Sequence, residues 1–285
     1  MRTDQEIKQA VRQAYGTQAR RAADAAATPK AASSCCCDAT ATQEAAAQKA
    51  ASSCCEAAAT QQAASSCCGD ADEGTPALAD LRPGEVVLDL GSGGGGDCLR
   101  AASKVGPQGR VIGLDMTPEA VELAQRRAGE LGAMNVEFRR GEIESIPLAD
   151  GEVDAVLSSC VINLAPDKDA VLCEAYRVLR PGGRMVVSDI VLAGELPAPI
   201  RDSLDAWAGC VAGALLEADY LDKIRAAGFS AVEVVSRDFV PISRAPGWTL
   251  ARTALADAGL PADALDRTVV NAVVRATKAD APQRA

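Results

Sequence analysis

The chain has 285 residues, 48% of them apolar, with a formal net charge of -10, eleven cysteines and no histidine. That length supports one sizeable core with an appendage, and the acidic balance argues against nucleic acid or an anionic membrane surface as the main partner. The missing histidine excludes imidazole general bases, Cys–His nucleophile pairs and most zinc or iron catalytic sites. Any soft-ion site must be built from sulfur and oxygen.

Taken in chain order, residues 3–20 predict a short amphipathic helix, with Ile7, Val11 and the pair Ala14/Tyr15 near helical spacing. This start carries charges throughout and no apolar targeting core, and no apolar run approaches a membrane span. Both point to a cytoplasmic protein with no membrane partner. From Ala22 to Glu73 there is no Leu, Ile, Val, Met or aromatic residue, so the stretch cannot bury enough apolar surface to fold as a domain. It repeats Ser-Ser-Cys-Cys at Ser33–Cys36, Ser52–Cys55 and Ser65–Cys68, with Cys37 extending the first copy. It reads as a flexible arm carrying thiols. In a cytosolic chain many cysteines mean soft-ion binding or redox chemistry before disulfides. An incidental low-complexity expansion is the competing reading of the repeat.

Beyond the arm the pattern becomes alternating strands and helices. Strands are expected at Glu85–Leu90, Arg110–Asp115, Val136–Arg139, Val153–Ser159 and Arg184–Ile190. Helices are expected at Gly95–Lys104, Pro118–Leu131 and Asp167–Leu179, the last closed by Arg180-Pro181-Gly182-Gly183. Near-continuous apolar strands in strict βα alternation predict an α/β fold with a doubly wound, Rossmann-like parallel sheet. After Ala193 the rhythm stops. Helices at Leu204–Leu215 and Asp219–Ala227 and strands at Ala231–Val235 and Thr268–Val274 suggest a small α+β appendage over the carboxyl edge of the sheet. The expected organisation is a helix over 1–21, the arm over 22–75, a nucleoside-binding domain over 76–193 and a cap over 194–285.

Asp89-Leu90-Gly91-Ser92-Gly93-Gly94-Gly95-Gly96 follows a strand and opens a helix, where glycines permit a tight turn and close approach of backbone to ligand. Gly91, Gly93 and Gly96 alone also fit a dinucleotide fingerprint. Three features favour S-adenosylmethionine. Asp89 lies where its carboxylate reaches a cationic head group. Asp115 ends the second strand, placed for both ribose hydroxyls. The Leu179–Gly183 turn resembles a hallmark of class I methyltransferases. That resemblance covers roughly residues 78–190 and implies Met116 beside the adenine and the Glu142-Ile143 loop at its edge, although Ile143 serves equally as an ordinary core residue.

Cys98, Cys160 and Cys210 match no local metal motif; topology brings them into consideration. Strands one and four are neighbours in such a sheet, and ligands bind beyond their carboxyl ends. Cys98 lies in the first turn of the helix after strand one, where the helix dipole favours thiolate, and Cys160 follows strand four directly. Both are expected in one crevice, with Cys210 brought over it by the cap. Cys173, inside a predicted helix, reads as a buried small hydrophobe.

Here a specific resemblance enters. Asp97-Cys98 after the glycine turn, Gly113-Leu114-Asp115-Met116-Thr117, Ser158-Ser159-Cys160-Val161-Ile162-Asn163-Leu164-Ala165-Pro166-Asp167-Lys168 and Gly209-Cys210-Val211-Ala212-Gly213-Ala214 together resemble the arsenite S-adenosylmethionine methyltransferases. Tyr15-Gly16 and the Cys-Cys pairs resemble the family's N-terminal region. The resemblance implies methyl transfer to trivalent arsenic, supplied as arsenite or a thiol adduct and held at Cys160, Cys210 and Cys98, with Cys67 or Cys68 as a further candidate. It also implies a thiol reductant, glutathione or thioredoxin. The tripled repeat departs from the family, which usually has one pair. Two other readings stand beside it: a methyltransferase for a small organic acceptor, with Asp or Glu as base, and a non-enzymatic thiol-based metalloid-binding protein.

Overall fold

The computed structural model describes residues 3–27, 75, 79–244 and 248–280. Helix α1 (Asp4–Ala27) opens on a capping box, in which Thr3 and Glu6 exchange hydrogen bonds. It buries Ile7, Val11 and Ala19. It runs beyond the expected end at residue 20, because the Ala22–Ala27 stretch is rich in the strongest helix former. The repeats and their seven cysteines, Cys67 and Cys68 included, lie outside the described residues.

Strands β1 (Val86–Leu90), β2 (Arg110–Asp115), β3 (Val136–Arg140), β4 (Val153–Ser159) and β5 (Leu179–Leu192) alternate with helices α2 (Gly96–Val105), α3 (Pro118–Glu130) and α4 (Lys168–Val178). The appendage adds α5 (Ala198–Arg201), α6 (Leu204–Ala208), β6 (Leu215–Leu216), α7 (Glu217–Ala226), β7 (Ser230–Phe239), α8 (Thr249–Asp257) and β8 (Val269–Thr277). The sheet runs β3-β2-β1-β4-β5-β8-β7, with β6 paired to β5. The first five strands are parallel, and β8 is antiparallel to both neighbours. Strand order reverses between β1 and β4, the switch point at which open α/β sheets bind ligands.

One face, with Leu88, Leu90, Ile112, Leu114 and Val156, packs on Val171, Leu172, Ala175 and Ile224 of α4 and α7. The other, with Val87, Val111, Ala155 and Leu157, packs on Ala101, Val105, Val121 and Ala124 of α2 and α3. A third cluster joins Ile190 and Leu192 to Ala206, Val211, Trp248 and Leu255 of the appendage.

Three local expectations change. The helix expected over 204–215 stops at Ala208, since Gly209 and a left-handed Cys210 break it. The turn at Arg180–Gly183 is absorbed into β5 as an irregularity between the pairs Val153–Leu179 and Ala155–Arg184. Cys173 is exposed, because α4 turns Val171, Leu172 and Ala175 inward instead. Among the described residues no helix is long and apolar enough to cross a membrane.

Candidate active site

The glycine turn leaves β1 at the switch point. Asp115, nine-tenths buried at the end of β2, accepts the Gly93 N–H at 2.9 Å through one carboxylate oxygen and the Thr117 N–H at 2.8 Å through the other. Burial pushes its carboxyl above the usual range, against the pull of those hydrogen bonds. Gly93 has a φ of +49° and open space where a side chain would stand. Ser92 Oγ is buried without a hydrogen-bond partner. A polar orphan beside an empty turn, with carboxylates close by, suits a cationic nucleoside ligand. S-adenosylmethionine is such a ligand, so the residues present fit it.

Asp89 has the parity of Val87 and therefore faces α2, where it accepts the Cys98 thiol at 3.2 Å. Burial pushes the Asp89 carboxyl well up, and the neighbouring charges of Asp97 and Asp115 push in the same direction. Cys98 lies on that face of the sheet. Burial and the Asp89 carboxylate hold its thiol well above the usual range, outweighing the helix terminus, and the sulfur lies in the core between the sheet and α2. The Cys98 sulfur thus packs on the α2 side of the sheet, while Cys160 packs against the cap cluster.

Cys160 and Cys210 are brought together. Cys160 follows β4 directly, and its N–H donates to Ser188 O at 2.7 Å. Cys210 stands on the loop after α6, and its thiol donates to the Cys160 carbonyl at 3.3 Å. Both have left-handed backbone, φ +53° and +62°, which is rare for a side chain with a Cβ. A side chain at Gly91 would overlap Val161, so the glycine turn abuts the loop carrying Cys160. A side chain at Gly213 would overlap the Asn163 carbonyl, so the Cys210 loop abuts it from the other side. Met116 and Cys160 both pack against the cluster that contains Cys210.

Helix α1 crosses this edge, a role that amphipathic spacing alone does not disclose. Tyr15 donates to Ala208 O at 3.4 Å and lies 3.7 Å from Cys210 Sγ. Lys8 pairs with Glu142 and Glu144 at 2.6 and 3.0 Å, and Arg12 with Glu142 at 2.5 Å. Glu142 therefore meets α1, while Ile143 is buried in the core. Among the described residues no three Cys, Asp or Glu side chains are grouped to hold a metal ion. A cleft of about 670 Å³ lined by Lys168, Trp207 and Gly213 includes neither cysteine.

Residues 81–229 match the model of a methyltransferase domain. The chain belongs to the methyltransferase domain family. It is 50% identical over 162 residues to an arsenite methyltransferase of Halobacterium salinarum, covering 57% of this chain and 41% of that protein. To an arsenite methyltransferase of Aquipseudomonas alcaligenes it is 43% identical over 175 residues, 59% of this chain and 50% of the relative. Its fold is similar to the crystal structure of an arsenic(III) S-adenosylmethionine methyltransferase from Chlamydomonas reinhardtii, with a TM-score of 0.57 and 33% identity over 72% of this chain and 66% of that one. The chain spans half or less of the two curated relatives' length.

Proposed function

We propose that this methyltransferase-family chain transfers the methyl group of S-adenosylmethionine to trivalent arsenic held by Cys160 and Cys210, as a step in arsenic detoxification. The observation that carries the reading is the pair itself: two cysteines from distant segments, both in strained backbone, docked on one another beside the glycine turn. The similarity to arsenite methyltransferases points the same way.

Asp115 would take the ribose hydroxyls, with Met116 and the Glu142-Ile143 loop near the base. Asp89, Asp97 and Asp115 place three carboxyl groups around the turn, where a bound cation would favour their ionised forms. S-adenosylmethionine, when bound, supplies an electrophilic methyl group. The two cysteine sulfurs hold the soft ion with its lone pair free, so the nucleophile carries no proton and needs no general base, in keeping with a chain that has no histidine. A third sulfur comes from the arm, with Cys67 or Cys68 as candidates, or from the thiol that delivers the arsenic. Cys98 acts behind the cofactor turn through Asp89 and is not a ligand in this reading. The remaining contribution is proximity and exclusion of water, effects worth roughly 7–11 kcal/mol in favourable intramolecular reactions. Methylation raises arsenic formally from the trivalent to the pentavalent state, and glutathione or thioredoxin returns it.

The test is incubation with arsenite, S-adenosylmethionine and a thiol reductant, reading methylated arsenicals. Cys160→Ser and Cys210→Ser proteins should lose at least 100-fold in kcat/KM for arsenite, on the order of 3 kcal/mol. Normal turnover by both at subsaturating arsenite would remove the site.

A further inference from the structure

Asp189 is 1% exposed near the C-terminal end of β5, an expensive place for a carboxyl group. Its oxygens are fully engaged. Asn163 donates its backbone N–H at 3.2 Å and its side-chain amide at 2.8 Å, the Ile190 N–H donates at 2.8 Å, and Tyr220 OH at 3.4 Å. The same Asn163 amide reaches Ile190 O at 2.5 Å. Lys168, also buried, donates to the carbonyls of Asn163 and Ala165 at 3.3 and 2.9 Å and stands 5.2 Å over the Trp207 ring. Trp207 in turn donates to Leu164 O at 3.2 Å. The loop between Cys160 and Lys168 is therefore gripped from β5 below, from α4 at its end and from α6 at its side. An apolar residue at 189 would satisfy packing but would leave the Asn163 backbone N–H, and one of its two side-chain N–H groups, buried without an acceptor.

We infer that Asp189 is a positioning residue for the two reactive cysteines: through Asn163, and with Lys168, it locks the loop that carries Cys160 and against which Cys210 is docked. The inference rests on the arsenic reading above and adds to it a residue that touches neither the soft ion nor the cofactor. The left-handed φ at Cys160 supports it, because a strained residue persists only where its surroundings over-determine it.

The test uses the full chain and limited iodoacetamide labelling read by mass spectrometry. Cys160, Cys173 and Cys210 fall on three different tryptic peptides, and the exposed Cys173 is the internal control. Arsenite is expected to protect Cys160 and Cys210 in the wild type. In Asp189→Asn the half-protecting arsenite concentration should rise about tenfold, about 1.4 kcal/mol, with S-adenosylmethionine affinity by calorimetry within about twofold of wild type. Lys168→Met, digested with a protease that cleaves before Asp so that Cys160 and Cys173 stay on separate peptides, provides a second variant should Asp189→Asn fail to fold, with the same direction expected. Unchanged half-protection in a folded variant, or a parallel loss of cofactor affinity, would overturn the positioning role. Absence of protection in the wild type would sink the arsenic reading alone. The Cys160-to-Cys173 labelling ratio without arsenite, expected to rise at least threefold in Asp189→Asn as the loop loosens, would still decide the clamp, and an unchanged ratio would overturn it.

Discussion

A residue other than glycine in the left-handed region costs on the order of 1–3 kcal/mol, and Cys160 and Cys210 each incur that cost at the same point in space. Cys160→Gly should relieve it and Cys160→Ala should not. The glycine protein is therefore expected to be more stable than the alanine protein by about 1 kcal/mol in urea unfolding, and equal midpoints would mean that the backbone there is unstrained. Asp189 gives a second residue-scale prediction. Burial raises its carboxyl to about 7, so the folded protein holds that proton more tightly than the unfolded chain. Its stabilising contribution is complete below the unfolded value and is lost as pH rises through about 7. Lys168, depressed by burial to about 8, behaves oppositely: its contribution is present above its unfolded value and lost as pH falls through about 8. Asp189→Asn removes the carboxyl's titration, so its deficit in Tm against wild type should be smaller at pH 8 than at pH 5. A deficit that grows toward pH 8 would contradict the sign. The placement of Cys98 shows what residue order alone conceals. Its position near a helix N-terminus is readable, but whether its sulfur faces the crevice or the core depends on the parity of Asp89 in β1.

At the scale of elements, α1 acts as a strap over the reaction edge. Its apolar positions bury it, but ion pairs to Glu142, Glu144 and Glu119, most of them partly exposed, set where it lies. Such pairs stabilise by only about 0.2–1 kcal/mol each and weaken with salt. The double substitution Lys8→Met, Arg12→Met should therefore leave Tm within a few degrees, about 1 kcal/mol, yet expose Cys210 to faster alkylation, and raised salt should do the same to wild type. Equal alkylation under all three conditions would show that Tyr15 and the buried face hold the strap unaided. The amphipathic pattern of α1 is legible in its residues, but its partners are not, since nothing local to Lys8 points to an acidic loop more than a hundred positions away. The appendage was the least legible part for a related reason. Its helices are short and alanine-rich, and its sharpest turn is made by a cysteine in a conformation no propensity suggests.

Over the whole molecule, the parallel half of the sheet was readable because fully buried strands and crossover helices impose distinct periods on the chain. The pairing of Cys160 with Cys210 was expected from a cap folded back over the crevice and was strengthened by the resemblance, because residue order alone does not fix how the cap folds back. That fold-back turns on a single tight contact. Gly213→Ala would drive a methyl group into the Asn163 carbonyl and lift the cap loop. It should weaken arsenite protection of Cys210 at least tenfold, about 1.4 kcal/mol, while cofactor affinity measured by calorimetry stays unchanged. Loss of both together would mean that the two ends of the sheet are not separable. Strand β8, late in the chain, lies between β5 and β7 and is, among the described residues, the only strand paired with β7. During synthesis, then, the segments that make the glycine turn and its carboxylates emerge long before the strand that closes the sheet beside the cap. The glycine turn is thus encoded early in the chain, while the docking of Cys210 on Cys160 waits on segments made later.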